Sequence, residues 1–242
     1  MLERATARVH RDTLVRAGTE DWRAAFPSIG FRPENVFVVP VSIRDDWLDQ
    51  KNGSPSHDPV ILWLGKLRRY KSPQHLIKAL PAVRKSVPAA RLVIAGRRDD
   101  LRYERELFDL VRRLDLTDAV EFRLDLDEDE KRDQIRSSRV LAVTSAVEGF
   151  GIVVLEANAF GLPVVASSGV PEGAVRDGFN GLRYKYADIA DLSDRLTNLL
   201  IDTDLYSRLS KNARENARRF KWSRVGAEFE EVVRRAAAGR PS

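Results

Sequence analysis

The chain of 242 residues contains no cysteine and only three histidines. Without cysteine it can form neither a disulfide framework nor a thiolate metal site, and a reducing compartment is the simpler setting. No apolar run is long enough to cross a membrane, and the first residues, MLERATARVHRDTLVRAG, lack the apolar core of a signal peptide. We therefore expect a cytoplasmic protein.

Charge is distributed unevenly along the chain, whose net charge is +5. From Arg208 to Arg240, ten lysines and arginines accompany four glutamates. This excess fits a solvated helix face or peripheral contact with an anionic membrane. We expect no nucleic-acid partner, because the aromatic interleaving of single-strand binders and any recognised nucleic-acid motif are missing. The acidic cluster from Asp125 to Asp133 is typical of a helix N-terminus and exposed surface, and we do not expect it to bind a metal.

Apolar runs alternate with amphipathic stretches, a pattern that predicts βαβ units and a parallel sheet. Hydrophobic residues make up 43% of the chain, which is enough to form a sizeable core in one domain, or in one domain with an appendage. Strands are predicted at Val36–Val41, Val60–Gly65, Arg91–Gly96, Val120–Leu124, Val140–Thr144, Pro163–Ser167 and Gly181–Tyr184. Helices are predicted at 73–86, 101–114, 129–137, 152–160, 189–200, 204–220 and 222–238.

The last predicted helix carries apolar residues at helical spacing, which we expect to form one buried stripe. Trp222 is expected in the core rather than at a ligand, because large aromatic side chains are usually buried. The stripe consists of Phe220, Trp222, Val225, Phe229, Val232 and Val233. The segment Lys51–Pro59, KNGSPSHDP, is a linker by its composition.

Two glutamates flank a glycine-containing turn in the segment EGFGIVVLE, which runs from Glu148 to Glu156. Glycines let backbone N–H groups approach a ligand, and the start of the following helix favours an anion. Carboxylates accept hydrogen bonds from the hydroxyls of a sugar or ribose. From these residues alone, the alternative that both glutamates cap or solvate a core helix stays open.

A second group of polar residues follows the predicted strand that ends at Gly65. It contains four bases, Lys66, Arg68, Arg69 and Lys71, in a loop that leads into a helix. Ligands of open α/β sheets bind at the carboxyl ends of strands, where cations can neutralise a diphosphate. This loop is therefore a candidate diphosphate clamp, and a basic surface loop is the alternative.

The segment Thr144–Leu182, TSAVEGFGIVVLEANAFGLPVVASSGVPEGAVRDGFNGL, carries a family resemblance. It resembles the E-x7-E motif of retaining nucleotide-sugar glycosyltransferases of the GT-B fold, known as glycosyltransferase family 4 or glycosyl transferases group 1. The family's G-R-x4-K element is matched by Gly65 and Lys71, while Lys66 stands where its arginine usually lies. This loses the guanidinium fork, which Arg68 or Arg69 could replace. The resemblance implies an α/β fold: the Rossmann-like, donor-binding C-terminal half of a GT-B enzyme.

The resemblance also implies roles for individual residues. Glu148 would bind the donor sugar and stabilise it as it reacts, and Lys66 and Lys71 would stabilise the departing diphosphate. Glu156 would bind the ribose. The other donor-binding positions would be Gly65, Gly149, Phe150, Gly151 and Ile152. No metal and no cofactor are implied, because the lysines replace the divalent ion of other transferases. The base stays undetermined, since Leu124 replaces a usual glycine near the base.

The expected domain layout follows the same resemblance. Residues 1–45 would be a remnant of an N-terminal acceptor domain, with its last helix in ARVHRDTLVRAG. Residues 46–220 would form the donor domain, and residues 221–242 a helix that packs back towards the N-terminal domain. Two functions stay open. One is retaining transfer to a saccharide or lipid-linked acceptor, with a separate N-terminal-domain chain as a candidate partner; the other is a non-catalytic nucleotide-sugar binding or regulatory module.

Overall fold

A six-stranded parallel sheet forms the centre of the protein, in a computed structural model that describes residues 9–10, 12–48 and 56–238. The strands lie in the order β5-β4-β3-β6-β7-β8, and every neighbouring pair is parallel. They are β3 (Val60–Lys66), β4 (Arg91–Arg97), β5 (Val120–Leu124), β6 (Val140–Val143), β7 (Val164–Ser167) and β8 (Gly181–Tyr184). The predicted α/β parallel sheet is thereby confirmed.

Helices cover both faces of this sheet, as the continuous apolar runs of its strands require. In β3, Ile61 and Trp63 belong to the core on one face, while Leu62 and Leu64 belong to the core on the other. The helices are α3 (Gln74–Ser86), α4 (Leu101–Arg113), α5 (Glu128–Arg136), α6 (Ile152–Ala159), α7 (Ile189–Ile201), α8 (Thr203–Arg219) and α9 (Trp222–Ala238). These bounds agree with the predicted helices to within one residue at every end.

Aspartates define several helix starts. Asp127 accepts a hydrogen bond from the backbone N–H of Glu130, whose carboxylate accepts one from Asp127 N–H, so the two form a capping box for α5. Asp100, Asp188 and Asp202 cap α4, α7 and α8 through their side chains. The acidic cluster at Asp125–Asp133 thus lies at a helix N-terminus, as predicted. Among the described residues, no group of three or more His, Asp or Glu could hold a metal ion.

A separate parallel pair precedes the main sheet. Strand β1 (Val15–Ala17) pairs with β2 (Val36–Val38), and α1 (Glu20–Ile29) connects them. The predicted helix in ARVHRDTLVRAG is therefore wrong over Val15–Ala17, where the ladder with β2 overrides helical spacing; residues 7, 8 and 11 lie outside the described residues. Thr19 accepts a hydrogen bond from Trp22 N–H and starts α1 after the strand. Strand β2 ends before Pro40, which has no N–H to donate.

The short helix α2 (Asp45–Leu48) and the last helices carry the chain back beside this pair. Ile43 bridges Lys221 between α8 and α9, through Ile43 N–H to Phe220 O and Trp222 N–H to Ile43 O, both 2.9 Å. The expected core position of Trp222 is wrong, since 59% of it is exposed. Of the predicted stripe only Phe220 and Val225 are buried, because α9 leaves the core after its first turn.

The predicted linker Lys51–Pro59 falls mostly outside the described residues, which resume at Ser56. None of the helices in the part of the chain that the structure describes combines the length and hydrophobicity needed to cross a membrane.

Candidate functional site

The order of the strands creates a crevice at one point of the sheet. From β3 the chain proceeds outward through β4 and β5, and from β6 it proceeds outward in the other direction through β7 and β8. Ligands of open α/β sheets bind at such a switch point, outside the carboxyl ends of the two central strands. The basic loop follows β3 and the glycine-containing turn follows β6, so the fold brings both predicted groups to this crevice.

Lys71 and Glu148 meet in the crevice. The Lys71 ammonium Nζ donates a hydrogen bond to Glu148 Oε1, and the hydroxyl of Ser145 donates to the same oxygen over 3.1 Å. The side chains of Lys71 and Glu148 are only 20% and 11% exposed, so water screens this ion pair far less than it screens a pair on the surface. The residues predicted to contact the diphosphate and the sugar are therefore adjacent.

Backbone contacts between the two loops hold this pair in place. Thr144 Oγ1 donates to Lys71 O over 2.8 Å, and Ala146 N–H donates to Tyr70 O over 2.7 Å. Glu148 N–H donates to Gly169 O over 2.9 Å. Sequence reasoning missed these supports, since a threonine or a backbone amide in a loop gives no pattern of its own. The loops thus form one connected platform beneath Lys71 and Glu148.

The other two bases of the loop contact carboxylates elsewhere. The guanidinium of Arg68 pairs with Asp99 through two bonds of 2.5 and 3.1 Å, and Arg69 pairs with Glu106 over 2.6 Å. Their hydrogen bonds lower the pKa of the Asp99 and Glu106 carboxyls. Of the four bases in the loop, Arg68 and Arg69 thus pair with carboxylates elsewhere, whereas Lys71 contacts Glu148 and Lys66 lines the adjoining pocket.

A pocket of about 410 Å³ lies beside this platform. Of the predicted donor-binding positions, Gly65, Ile152 and Glu156 line it, together with Lys66, which was predicted to stabilise the diphosphate. Its volume is in the range of small-molecule sites. Further lining residues that the sequence had not indicated are Leu64, Arg97, Leu126, Asp127, Glu128, Lys131 and Val153. Leu126 is among the lining residues of this pocket, whereas Leu124, which the sequence places near the base, is not.

Glu156 is nearly buried in the wall of this pocket, with 9% of the residue exposed. Lys131 Nζ donates to Glu156 Oε1 over 2.7 Å and lies 4.9 Å from the centre of the Trp47 ring. Burial raises the pKa of the Glu156 carboxyl, and the ion pair with Lys131 opposes this shift. A carboxylate so placed can accept hydrogen bonds from a vicinal diol.

The turn between β6 and α6 presents backbone to the crevice. Gly151 precedes the first residue of α6 with φ of 92°, a conformation that favours glycine, and it caps the helix without a side-chain hydrogen bond. Helix N-terminal N–H groups attract anions. Phe150 packs in the core with its ring edge against Phe220, 5.1 Å between centroids, so its expected contribution to a ligand is through its backbone alone.

The floor of the pocket depends on two facing glycines. Gly65 in β3 is paired with Gly96 in β4. Gly96 has φ of 146°, and a Cβ there would lie 1.8 Å from Gly65 O. Only glycine permits this approach of the two strands.

Residues before the main sheet also touch the site. The Trp22 indole Nε1 donates to Glu148 O over 3.4 Å, and a Cβ on Gly18 would lie 3.8 Å from Gly149 O. The segment around β1 therefore lies against the turn that carries Glu148. Sequence reasoning did not indicate this contact.

Replacing Glu156 by alanine is expected to weaken nucleotide binding by about 1–3 kcal/mol, because ribose hydroxyls would lose their acceptor and Lys131 its partner. Calorimetric titration with nucleoside diphosphates measures the change. Asp194→Ala, which removes an exposed carboxylate from α7, serves as the control. An unchanged affinity in a folded Glu156→Ala variant would disprove the ribose role.

Glu156 is also expected to make stability depend on pH. Its carboxyl has a pKa raised above the ordinary 4.5, so the native state holds the proton more tightly than the unfolded state. The free energy of unfolding should therefore fall as pH rises from the unfolded pKa through the raised native pKa. Glu156→Gln removes this contribution, and its stability relative to wild type should grow across that window. Urea unfolding at several pH values tests this; a pH-independent difference between the two proteins would contradict it.

Comparison with known sequences places the chain in a family. The family described as "Glycosyl transferases group 1" matches residues 45–216. A D-inositol 3-phosphate glycosyltransferase of Stackebrandtia nassauensis is 34% identical over 230 residues, which are 87% of this chain and 52% of that protein. The corresponding protein of Xylanimonas cellulosilytica is 33% identical, with 96% of this chain and 58% of that protein covered.

Solved structures share the fold. Anabaena Alr3699/HepE, in complex with UDP and glucose, superposes with a TM-score of 0.85 at 23% identity, covering 95% of this chain and 66% of that one. Sucrose-phosphate synthase of Thermosynechococcus elongatus gives 0.84 at 22% identity, covering 98% and 62%. The predicted GT-B likeness is confirmed, and the chain corresponds to a C-terminal-type domain.

The chain spans about half the length of the curated relatives that it matches. The family match nevertheless includes the loop after β3, the turn after β6 and the residues that line the pocket, Glu156 among them. The chain therefore belongs to the glycosyl transferases group 1 family.

Proposed function

We propose that this chain supplies the donor-binding half of a retaining glycosyltransferase that uses a nucleoside-diphosphate sugar. The observation that carries the proposal is the contact of Lys71 with Glu148 at the switch point, beside the pocket that contains Glu156. One arrangement thus combines a cation for a diphosphate, a carboxylate for a sugar and a carboxylate for a ribose.

The charges of the pair match the two charges that develop during glycosyl transfer. Positive character grows on the anomeric carbon while negative charge grows on the departing phosphate oxygen. Lys71 would stabilise the departing diphosphate together with Lys66 and the N-terminal amides of α6. Glu148 would bind the sugar hydroxyls and favour the positive carbon. A donor that binds Lys71 through phosphate would exchange the ammonium's contact with Glu148 for one with the ligand.

The nucleoside would occupy the pocket. Its ribose hydroxyls would donate to Glu156, which Lys131 holds in position by a hydrogen bond of 2.7 Å. The base would lie between Gly96 and Leu126, where apolar side chain and backbone meet. UDP-sugars are the first donors to test, since the similar Anabaena protein was solved with UDP-glucose. No metal or cofactor takes part in this scheme.

The acceptor would bind outside this domain. We propose the layout predicted from the sequence: residues 1–45 as part of an N-terminal acceptor domain, 46–220 as the donor domain, and 221–242 as a helix returning towards the acceptor domain. The contact of Trp22 with Glu148 supports a role of the first segment near the reacting sugar. A saccharide or lipid-linked acceptor remains part of the proposal, and the relatives' names make D-inositol 3-phosphate the first acceptor to test.

Proton NMR of the reaction mixture tests this function. The protein would be incubated with UDP-glucose or UDP-N-acetylglucosamine and inositol 3-phosphate, and the coupling of the new anomeric proton read. A product with the anomeric configuration of the donor supports retaining transfer, whereas the inverted configuration refutes retention. Donor binding without any product, also after addition of a separately produced N-terminal domain, would favour the non-catalytic binding module instead.

A further inference from the structure

The edge strand β5 leaves hydrogen-bonding groups without a partner strand. In its ladder with β4, Leu92 N–H donates to Ala119 O and Asp125 N–H donates to Gly96 O. The odd-numbered residues of β5 therefore face β4. Because backbone groups alternate along a strand, Phe122 and Leu124 direct their N–H and C=O groups away from the sheet. Val120 directs its C=O outward too, while its N–H donates to Leu116 O over 3.0 Å.

At the opposite edge of the sheet, outward backbone groups of β8 have hydrogen-bond partners within the chain. On β8 the outward N–H of Arg183 donates to the Asp177 carboxylate over 2.8 Å, and Gly181 O accepts from Gly178 N–H over 2.9 Å. Just beyond the strand, Lys185 N–H donates to Asp191 over 3.2 Å. Within the described residues, no loop or side chain covers Phe122 of β5 in this way. One edge is thus closed by the chain itself and the other is available for strand pairing.

An apolar groove of about 810 Å³ runs beside β5. Phe122 lies against Phe108 of α4, with ring centroids 4.3 Å apart, and Val120 and Leu124 share the same half-buried face. Two arginines at its rim have carboxylate partners, since Arg98 pairs with Glu104 and Asp125 and Arg112 pairs with Asp109, while the third, Arg105, donates to Leu101 O over 3.3 Å. The half-buried side chains of Val120, Phe122 and Leu124 give the groove an apolar floor that can pack against a partner.

The sequence of β5, VEFRL, is complementary to itself when two copies run antiparallel. With a two-fold axis at Phe122, Glu121 lies opposite Arg123 of a second copy, and Val120 lies opposite Leu124 of that copy. Glu121 and Arg123 share the other face of the strand, where Arg123 Nε donates to Glu121 Oε1 of the same chain over 2.9 Å, and their side chains are still 56% and 46% exposed. Each copy thus offers opposite charges at the cross-strand positions where a like charge would repel.

We propose that β5 is a dimerisation strand whose partner is β5 of a second copy of this chain, in an antiparallel, isologous contact centred on Phe122. Phe122 N–H and C=O would bond the same groups of the second Phe122, and each Leu124 N–H would bond Val120 C=O of the other copy. The two six-stranded sheets would become continuous, and the two apolar grooves would close on each other. The donor crevice lies at β3 and β6 and stays open in this dimer.

Sedimentation velocity of the full chain from about 1 to 100 μM, with charge-reversed variants, tests the proposal. Wild type is expected to form dimers. Glu121→Arg and Arg123→Glu each place like charges opposite one another twice per dimer, and should weaken association at least about tenfold. The double variant Glu121→Arg/Arg123→Glu restores opposite charges and should restore the dimer. Asp194→Arg on α7 controls for net charge and should leave it intact.

A second measurement requires no variant. Amide hydrogen exchange should show slower exchange at Phe122 and Leu124 as protein concentration rises, while Arg183 on the other edge stays unaffected. A wild-type chain that remains monomeric throughout, a dimer that ignores both single reversals, or a folded double variant that stays monomeric would each overturn the proposal.

Discussion

Replacing Lys71 by alanine is expected to weaken binding of a nucleoside diphosphate by about 1.5–3 kcal/mol, the usual worth of a hydrogen bond to a charged group. The loss has two sources. The diphosphate loses its cation, and the Glu148 carboxylate, only 11% exposed, is left without its partner and repels the ligand. Binding of the free nucleoside should change little, because the pocket around Glu156 is untouched. Calorimetric titration of wild type and variant with UDP and with uridine separates the two effects.

Two further variants sharpen this result. Glu148→Gln removes the carboxylate that holds the ammonium, so its affinity for UDP should rise rather than fall. Lys78→Ala removes the same charge from an exposed position on α3 and should leave both affinities unchanged. Equal losses for UDP and uridine in Lys71→Ala would mean that Lys71 supports the loop structure and does not contact the diphosphate.

Replacing Gly96 by alanine is expected to lower the free energy of unfolding by about 3–5 kcal/mol. A Cβ at this position would lie 1.8 Å from Gly65 O, and φ of 146° is a conformation that alanine rarely adopts. Strands β3 and β4 would have to separate where they form the pocket floor, so nucleotide binding should also be lost. Urea denaturation followed by circular dichroism measures the change in stability.

Gly149→Ala is the matched control for that variant. A Cβ on Gly149 would have no atom within 4 Å, and its φ is not in the left-handed region. Its stability should therefore stay within about 1 kcal/mol of wild type. Similar unfolding midpoints for the two alanine variants would contradict the close approach of β3 and β4.

The sheet could be predicted from the sequence because its strands are short, nearly uninterrupted apolar runs. Residues 60–64 of β3 and the whole of Val140–Val143 are buried on both faces, and such runs between amphipathic helices are typical of parallel sheets. The helix predicted over Val15–Ala17 was wrong, because these three strand residues gain stability from pairing with Val36–Val38 rather than from local pattern. Trp222 was placed wrongly because helical spacing does not reveal how far a terminal helix follows the core.

The candidate site was predictable where chemistry and spacing coincide. Lys71 and Glu148 follow two strands that the topology makes neighbours, so their meeting follows from the parallel order of the sheet. Lys131 and Leu126 escaped prediction, because their approach to the pocket depends on how α5 packs and not on a motif. The orientations of the Arg68 and Arg69 side chains likewise depend on ion pairs with carboxylates more than thirty residues away in the chain.

The most direct test of the account is calorimetric titration of the chain with UDP, GDP, ADP and their common sugar conjugates, first with a chelator and then with magnesium. The account predicts that one nucleotide series binds without metal, that Glu156→Ala weakens the whole series, and that Lys71→Ala weakens its diphosphates alone. Failure of a folded chain to bind any of these ligands, or binding that requires magnesium, would contradict a preformed, metal-independent donor site.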